Sequence, residues 1–262
     1  MTRQLWLGLL LALILLTPAA DLAAGNIYVG GPYGTKISSL PYSISAPGAY
    51  YLGGNLSYPG TDNAITINSD DVTLDLMGFN LISTTNPPNA TGIHINNRTN
   101  VEIRNGTLSG WLTGISESSF DNSRIAAHRI INVRIEGYQG AYLRGLGHLI
   151  QGCQAIGLGL YGNGLRPTHG MVINCIVKNF EYGILGSCRI IGNEVTGSSI
   201  PTSVGIFHGT ALVMGNVINN CYESGIAAPF GNAASLIGNT VQNPSSEAVG
   251  ISVAWGNELP SP

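Results

Sequence analysis

Val72, Leu74 and Leu76 are apolar, and the residues between them, Thr73 and Asp75, are polar. A period of two marks an extended strand with one face buried and one exposed. The alternation returns in Val101-Glu102-Ile103-Arg104, and Ile93 and Ile95 flank His94 in the same way. Between such runs stand Asn, Gly, Ser and Pro, as in Asn86-Pro87-Pro88-Asn89, which read as turns. The predicted strands are short, roughly three to six residues, and no window carries a clean helical stripe.

The strands belong to repeated phrases. One phrase is Ile191-Gly192-Asn193-Glu194-Val195, then Met214-Gly215-Asn216-Val217-Ile218, then Ile237-Gly238-Asn239-Thr240-Val241. A second alternates with it: Gly183-Ile184, Gly205-Ile206, Gly225-Ile226 and Gly250-Ile251, preceded by Gly92-Ile93, Gly114-Ile115 and Gly164-Leu165. A period of roughly 20–28 residues is the mark of a solenoid, in which each repeat buries its apolar face only against its neighbours. The predicted fold is all-β: a single-stranded parallel β-helix of roughly eight to nine coils, right-handed by the crossover rule. The Ile of each Gly-Ile phrase is expected in one buried column. Residues 25–60 do not repeat and are expected to form an N-terminal cap; residues 61–262 form the β-helix domain.

Three early phrases carry a family resemblance. They are Pro41-Tyr42-Ser43-Ile44 with Pro47-Gly48-Ala49-Tyr50-Tyr51-Leu52, Val72-Thr73-Leu74-Asp75-Leu76-Met77-Gly78-Phe79, and Val101-Glu102-Ile103-Arg104-Asn105-Gly106-Thr107. With them the chain resembles bacterial exported right-handed parallel β-helix repeat proteins of the pectin-lyase-like superfamily, over about residues 40–255. The resemblance implies an extracytoplasmic protein, often tied to polysaccharides. It supplies no established catalytic set.

The first 24 residues read as a separate object. Arg3 precedes an apolar run from Leu5 to Leu16, too short to span a bilayer, and small residues follow at Ala19-Ala20 and Ala23-Ala24. That is the pattern of a cleaved secretory signal, and it places the mature protein outside the cell, in a periplasm or at the cell surface. No later segment is apolar enough for a membrane span. The net charge is −3 and Lys occurs only at Lys36 and Lys178, so no nucleic-acid partner is expected. Cys153, Cys175, Cys188 and Cys221 read first as buried small side chains. A disulfide between neighbouring coils is the alternative, although the 22-residue spacing of Cys153 and Cys175 is one out of step with the Asn phrase.

Repeated Asn residues (Asn132, Asn174, Asn193, Asn216, Asn239) have a structural reading: they tolerate sharp bends and bond to their copies on neighbouring coils. Asp75 and Arg104 occupy matching places in successive coils and are expected to pair on the surface. The position just after Gly-Ile points outward and holds His94, Ser116, Tyr142, Arg166 and Phe207, with His169 and His208 nearby. Rings suit pyranose faces and a guanidinium suits a uronate carboxylate, so His94, Tyr142, Arg166 and His169 are the candidate substrate-binding residues.

A longer interruption runs from Ser116 to Arg124, and Asp121, Arg124, His128 and Arg129 form the densest local set of titratable groups. Asp121, Arg124 and His128 are the weak candidates for proton abstraction beside a uronate carboxylate, against the plainer reading of a solvated loop. No Asp follows Asp121, and the Asn-x-Asp, Asp-Asp and Gly-His-Gly phrases of β-helix polygalacturonases do not occur together here. Asp70-Asp71 lies in a turn. Scattered glutamates leave a calcium site open without supporting it, and no metal or other cofactor is expected. Three functions stay open: a non-catalytic protein that binds or organises extracellular or cell-wall polysaccharide; a divergent polysaccharide lyase, hydrolase or epimerase; and a structural or assembly rod. Whether the chain is an enzyme, which glycan it meets and its oligomeric state are not legible.

Overall fold

Alternating residues here form strands that stack on their own copies one coil away. The computed structural model describes residues 33–85, 90–118, 121–159, 161–209, 212–228, 235–242 and 248–253. The expected signal, 1–24, and the start of the expected cap lie outside the described residues. Among the described residues there are 24 strands and no helix. Each described strand pairing is parallel, and the strands stack as a β-solenoid of about 8 turns.

Each coil passes through three sheets. In one of the later coils, Ile190 and Ile191 lie in the first sheet, Glu194–Gly197 in the second and Val204–His208 in the third. Two early coils run through all three without leaving extended geometry, so Val101–Ser118 and Arg129–Leu143 are strands of 18 and 15 residues. The expectation of uniformly short strands fails there because the chain bends round the corners while still pairing with its neighbour. The non-repeating segment also joins the stack: Thr35–Ile37 pairs with Gly48–Leu52, and Tyr42–Ile44 with Asn63–Ile67.

The core is a set of inward columns. In the third sheet, Ile65, Ile93, Ile115, Ala141, Leu165, Ile184, Ile206, Ile226 and Ile251 are successive partners. All are buried until the last, Ile251, which is 47% exposed because no described coil lies beyond it. Burying one such side chain contributes about 1.5–3 kcal/mol. The glycine before each Ile permits close approach. A Cβ on Gly205 would lie 2.5 Å from a methyl of Ile218 and 2.7 Å from the Gly225 carbonyl.

The turn from first to second sheet is the tightest, and two residue positions divide its work. The first has positive φ: Asn132 (54°), Gly152 (63°), Asn174 (53°), Gly192 (64°), Gly215 (63°) and Gly238 (59°). The second carries the amide ladder. Asn193 donates from both its backbone N and Nδ2 to Asn216 Oδ1, at 2.9 Å each. Asn216 does the same to Asn239 Oδ1, at 3.0 and 2.9 Å. Asn132 and Asn174 therefore serve the bend and stand outside the ladder. Their followers, Val133 and Cys175, occupy the ladder position, and Cys175 N–H donates to Asn193 Oδ1 at 2.8 Å. Cys153 and Cys175 are thus in register, one residue after the bend in each coil. All four cysteines are buried free thiols.

Candidate functional site

The residues that follow the inward Ile column face outward and form one ladder. Thr66, His94, Ser116, Tyr142 and Arg166 are successive partners across five coils, and Leu185, Phe207 and Ala227 continue the row. His94 Nδ1 lies 2.9 Å from Ser116 Oγ. Burial pushes the His94 imidazole below its usual range, against the opposing pull of Glu117. His94 is two coils from Tyr142, at its own end of the row.

Tyr142 and Arg166 meet. The Arg166 guanidinium sits 4.5 Å from the centroid of the Tyr142 ring, and that of Arg144 sits 4.9 Å from it. The ring is therefore a platform that orients cations. Among the described residues no carboxylate lies within ion-pair distance of Arg166. Its charge faces a groove of about 300 Å³ lined by Tyr142, Arg166, Thr168, Ser187, Phe207 and Asn122. Tyr182 packs edge-on against Phe207 at 5.5 Å and steadies that ring. His169 belongs to the first sheet, opposite Ser187, and follows groove-lining Thr168; its Nδ1 is buried without a partner among the described residues.

The other candidate set separates. Asp121 is exposed, and its Oδ1 accepts from the N–H and hydroxyl of Ser123, which hold its carboxyl below the usual range. Arg129 pairs with Glu102 at 2.8 Å. Arg124 and His128 turn inward onto Glu117, a residue that sequence reading passed over. Glu117 takes the place of Ile95 in the column one coil on, so its carboxylate is buried in the solenoid wall. Arg124 Nη2 donates to Glu117 Oε1, the Arg144 N–H donates to Oε2 at 2.9 Å, and His128 Nε2 is 3.3 Å from Oε1. Arg124 Nη1 also donates to the Arg98 carbonyl at 2.6 Å, tying the interruption to the preceding coil.

His148 completes this cluster. It stacks on His128 with centroids 5.3 Å apart, and its Nε2 is 3.0 Å from the Arg144 carbonyl. Burial first, then the charge of His128, push His148 down to about 4. The signal for it was the register: Arg129 aligns with Leu149, so His128 aligns with His148. Glu117 and His128 side chains have no exposed surface and Arg124 is 20% exposed, so the cluster fastens the loop and leaves only part of the guanidinium open to solvent.

The surface pair expected from the repeat is present. Arg104 Nε lies 2.8 Å from Asp75 Oδ2, and Arg104 also reaches Glu102 at 3.0 Å. At such exposure it contributes at most about 1 kcal/mol. Among the described residues no three His, Cys, Asp or Glu side chains converge as a metal site. What the outer ladder can do chemically is hold a carboxylate or sulfate against Arg166, beside the ring of Phe207. No protein-family model matches the chain, and no curated protein matches it.

Proposed function

We propose that this chain binds an anionic extracellular polysaccharide along the outer face of the third sheet, without breaking a bond in it. The observation that carries the reading is Arg166: a guanidinium held on the Tyr142 ring, without a carboxylate partner among the described residues, at the edge of a groove. A uronate carboxylate would take the guanidinium in a charge-assisted bond. Thr168 and Ser187 would meet ring hydroxyls, and Phe207 would meet an apolar sugar face. The burial of Glu117 and His128 weighs against a proton-transfer role for the loop. The reading extends the resemblance to exported, pectin-lyase-like β-helix proteins, and it includes cleavage of the N-terminal signal and export.

One guanidinium and one ring give a few kcal/mol, so a short oligouronate should bind near about 1 mM. Affinity should rise with chain length as further coils engage. The test is retention on immobilised polygalacturonate. The native chain is retained, and the Arg166→Ala and Tyr142→Ala double variant elutes with the void while keeping its β circular dichroism. Equal retention of the double variant removes this face from consideration. Release of unsaturated or shortened sugars by the native protein would instead support a lyase or hydrolase.

A further inference from the structure

A larger concavity lies at a different corner, where the chain turns from the second sheet to the third. It measures about 590 Å³ and is lined by Leu158, Asn179, Thr196, Ser198, Asn220 and Tyr222, among others. We infer that this corner is a second ligand site, built for an uncharged sugar chain.

Unspent hydrogen-bonding groups are the first argument. Among the described residues, the side chains of Asn179, Thr196, Ser198, Ser199 and Asn220 make no hydrogen bond. Four of them can meet water. Ser198 cannot: the residue borders the groove but is 4% exposed, and its Oγ is buried without a partner among the described residues. The four accessible groups are the ones that can exchange water for the hydroxyls of a bound chain.

The amides are held in place by the backbone. Asn179 and Asn220 have positive φ, 63° and 55°; Asn179 sits at a bulge in its second-sheet strand, and Asn220 directly follows the end of the strand Val217–Asn219. The coil below accepts these bends only because it has glycine there: a Cβ on Gly157 would lie 2.1 Å from the Asn179 carbonyl, and one on Gly197 2.5 Å from that of Asn220. Similar bends on alternate coils therefore present similar amides at intervals of two strand spacings, about 10 Å.

Apolar surface and charge define the ligand class. Tyr222 is 39% exposed and Leu158 is 50% exposed, and both line the groove. Rings and aliphatic edges flanked by amides and hydroxyls match a pyranose, which has apolar faces and an equator of hydroxyls. Among the described residues no Lys or Arg lines the groove. Lys178, next to Asn179 in sequence, is paired with Glu194 at 3.1 Å. That leaves Glu181 and Glu223 as the nearest charges without an ion-pair partner among the described residues, and after burial their negative charge is what pushes the Tyr182 phenol up. An anion is disfavoured here, as it is favoured at Arg166. Four coils contribute lining residues, a length of about 14 Å at strand spacing, or roughly two to three pyranose rings.

The experiment is titration of the full chain with hexamers of β-1,4-glucose, β-1,3-glucose, α-1,4-glucose and N-acetylglucosamine, with oligogalacturonate as the charged comparison. At least one neutral hexamer binds, and Tyr222→Ala or Asn179→Ala weakens it by about tenfold or more. Tyr222 is exposed, so Tyr222→Ala should keep the native melting temperature, whereas Asn179→Ala places alanine at a φ of 63° and should lower it modestly. Ser198→Ala is the internal control: its hydroxyl is closed off from the groove and has no partner among the described residues, so binding and melting temperature should both stay as in the native chain. Arg166→Ala leaves neutral binding intact and removes only oligogalacturonate binding, so this site and the cationic groove fail or stand separately. The inference is overturned if no neutral hexamer binds at about 10 mM, a concentration at which even millimolar sites fill. It is equally overturned if neutral binding is lost in Arg166→Ala and kept in Tyr222→Ala.

Discussion

Replacing Asn216 by Ala tests the amide ladder at its middle rung. Asn216 is fully buried and its side chain makes four hydrogen bonds. Its Oδ1 accepts from Asn193 N and Nδ2, and its Nδ2 donates to the Ile190 carbonyl and to Asn239 Oδ1, all at 2.9 Å. The losses are unequal. Asn193 Nδ2 keeps its bond to the Val172 carbonyl, and Asn239 Oδ1 keeps the Asn216 backbone N–H. The Asn193 N–H loses the acceptor it has and stays buried. Orphaning one buried donor costs about 1–3 kcal/mol, and weakening the three remaining groups adds roughly 1 kcal/mol. The expected destabilisation is about 2–4 kcal/mol, a fall of roughly 4–8 °C in melting temperature for a chain of this length. Because repeat arrays can unfold in parts, amide hydrogen exchange is the sharper assay: the Asn193 amide should lose protection first. Asn239→Ala, at a partly buried rung, should cost less and expose the Asn216 amide instead. A variant within about 0.5 kcal/mol of the native chain, with the Asn193 amide still protected, would refute the ladder as a source of stability.

Ile206→Ala should cost about 2–5 kcal/mol by denaturant titration, whereas Ile251→Ala, at the 47% exposed end of the same column, should cost far less; equal costs would contradict the register. His148 is held at about 4 in the folded chain against about 6.5 unfolded, so the unfolded state binds the extra proton between those values. Stability should therefore fall as pH drops through that window, by up to about 1.4 kcal/mol per pH unit, and His148→Gln should flatten the slope; an unchanged slope would show that His148 is not its source. Burial pushes Cys188 up to about 12 and Cys221 up to about 11, so an aromatic disulfide reagent at neutral pH should label neither until the chain is unfolded, and labelling of the native protein would refute their burial.

Period-two alternation and the Gly-Ile phrase were enough to place the inward column and the outward ladder, because a stacked coil repeats its register whenever its apolar face must stay buried. The Tyr142–Arg166 adjacency follows from that register alone. Less visible was the division of labour at the bend. Asn is acceptable both at the positive-φ position and at the ladder position one residue later, so Asn132 and Asn174 read like Asn216 although they do the work of Gly192 and Gly215. Cys153 and Cys175 looked out of step for the same reason. The neutral groove was not legible, since its Asn, Ser and Thr residues are those that any turn contains. Only the corner geometry gathers them on one side.

Glu117 shows why the densest titratable stretch is a poor guide to chemistry on this scaffold. A carboxylate in an inward column is expensive, and it persists where donors surround it. Here Arg124, the Arg144 N–H and His128 converge on it from the interruption and from the next coil. The longer loop and the core carboxylate therefore explain each other: the loop brings the guanidinium, and the carboxylate fixes the loop. Arg166 is the opposite case. It stands in a regular strand, at an outward position, and the Tyr142 ring orients it without neutralising it. On a solenoid the residue to follow is the charge that the repeat leaves unpaired on the outside, since a charge set within the wall must be matched by the fold itself.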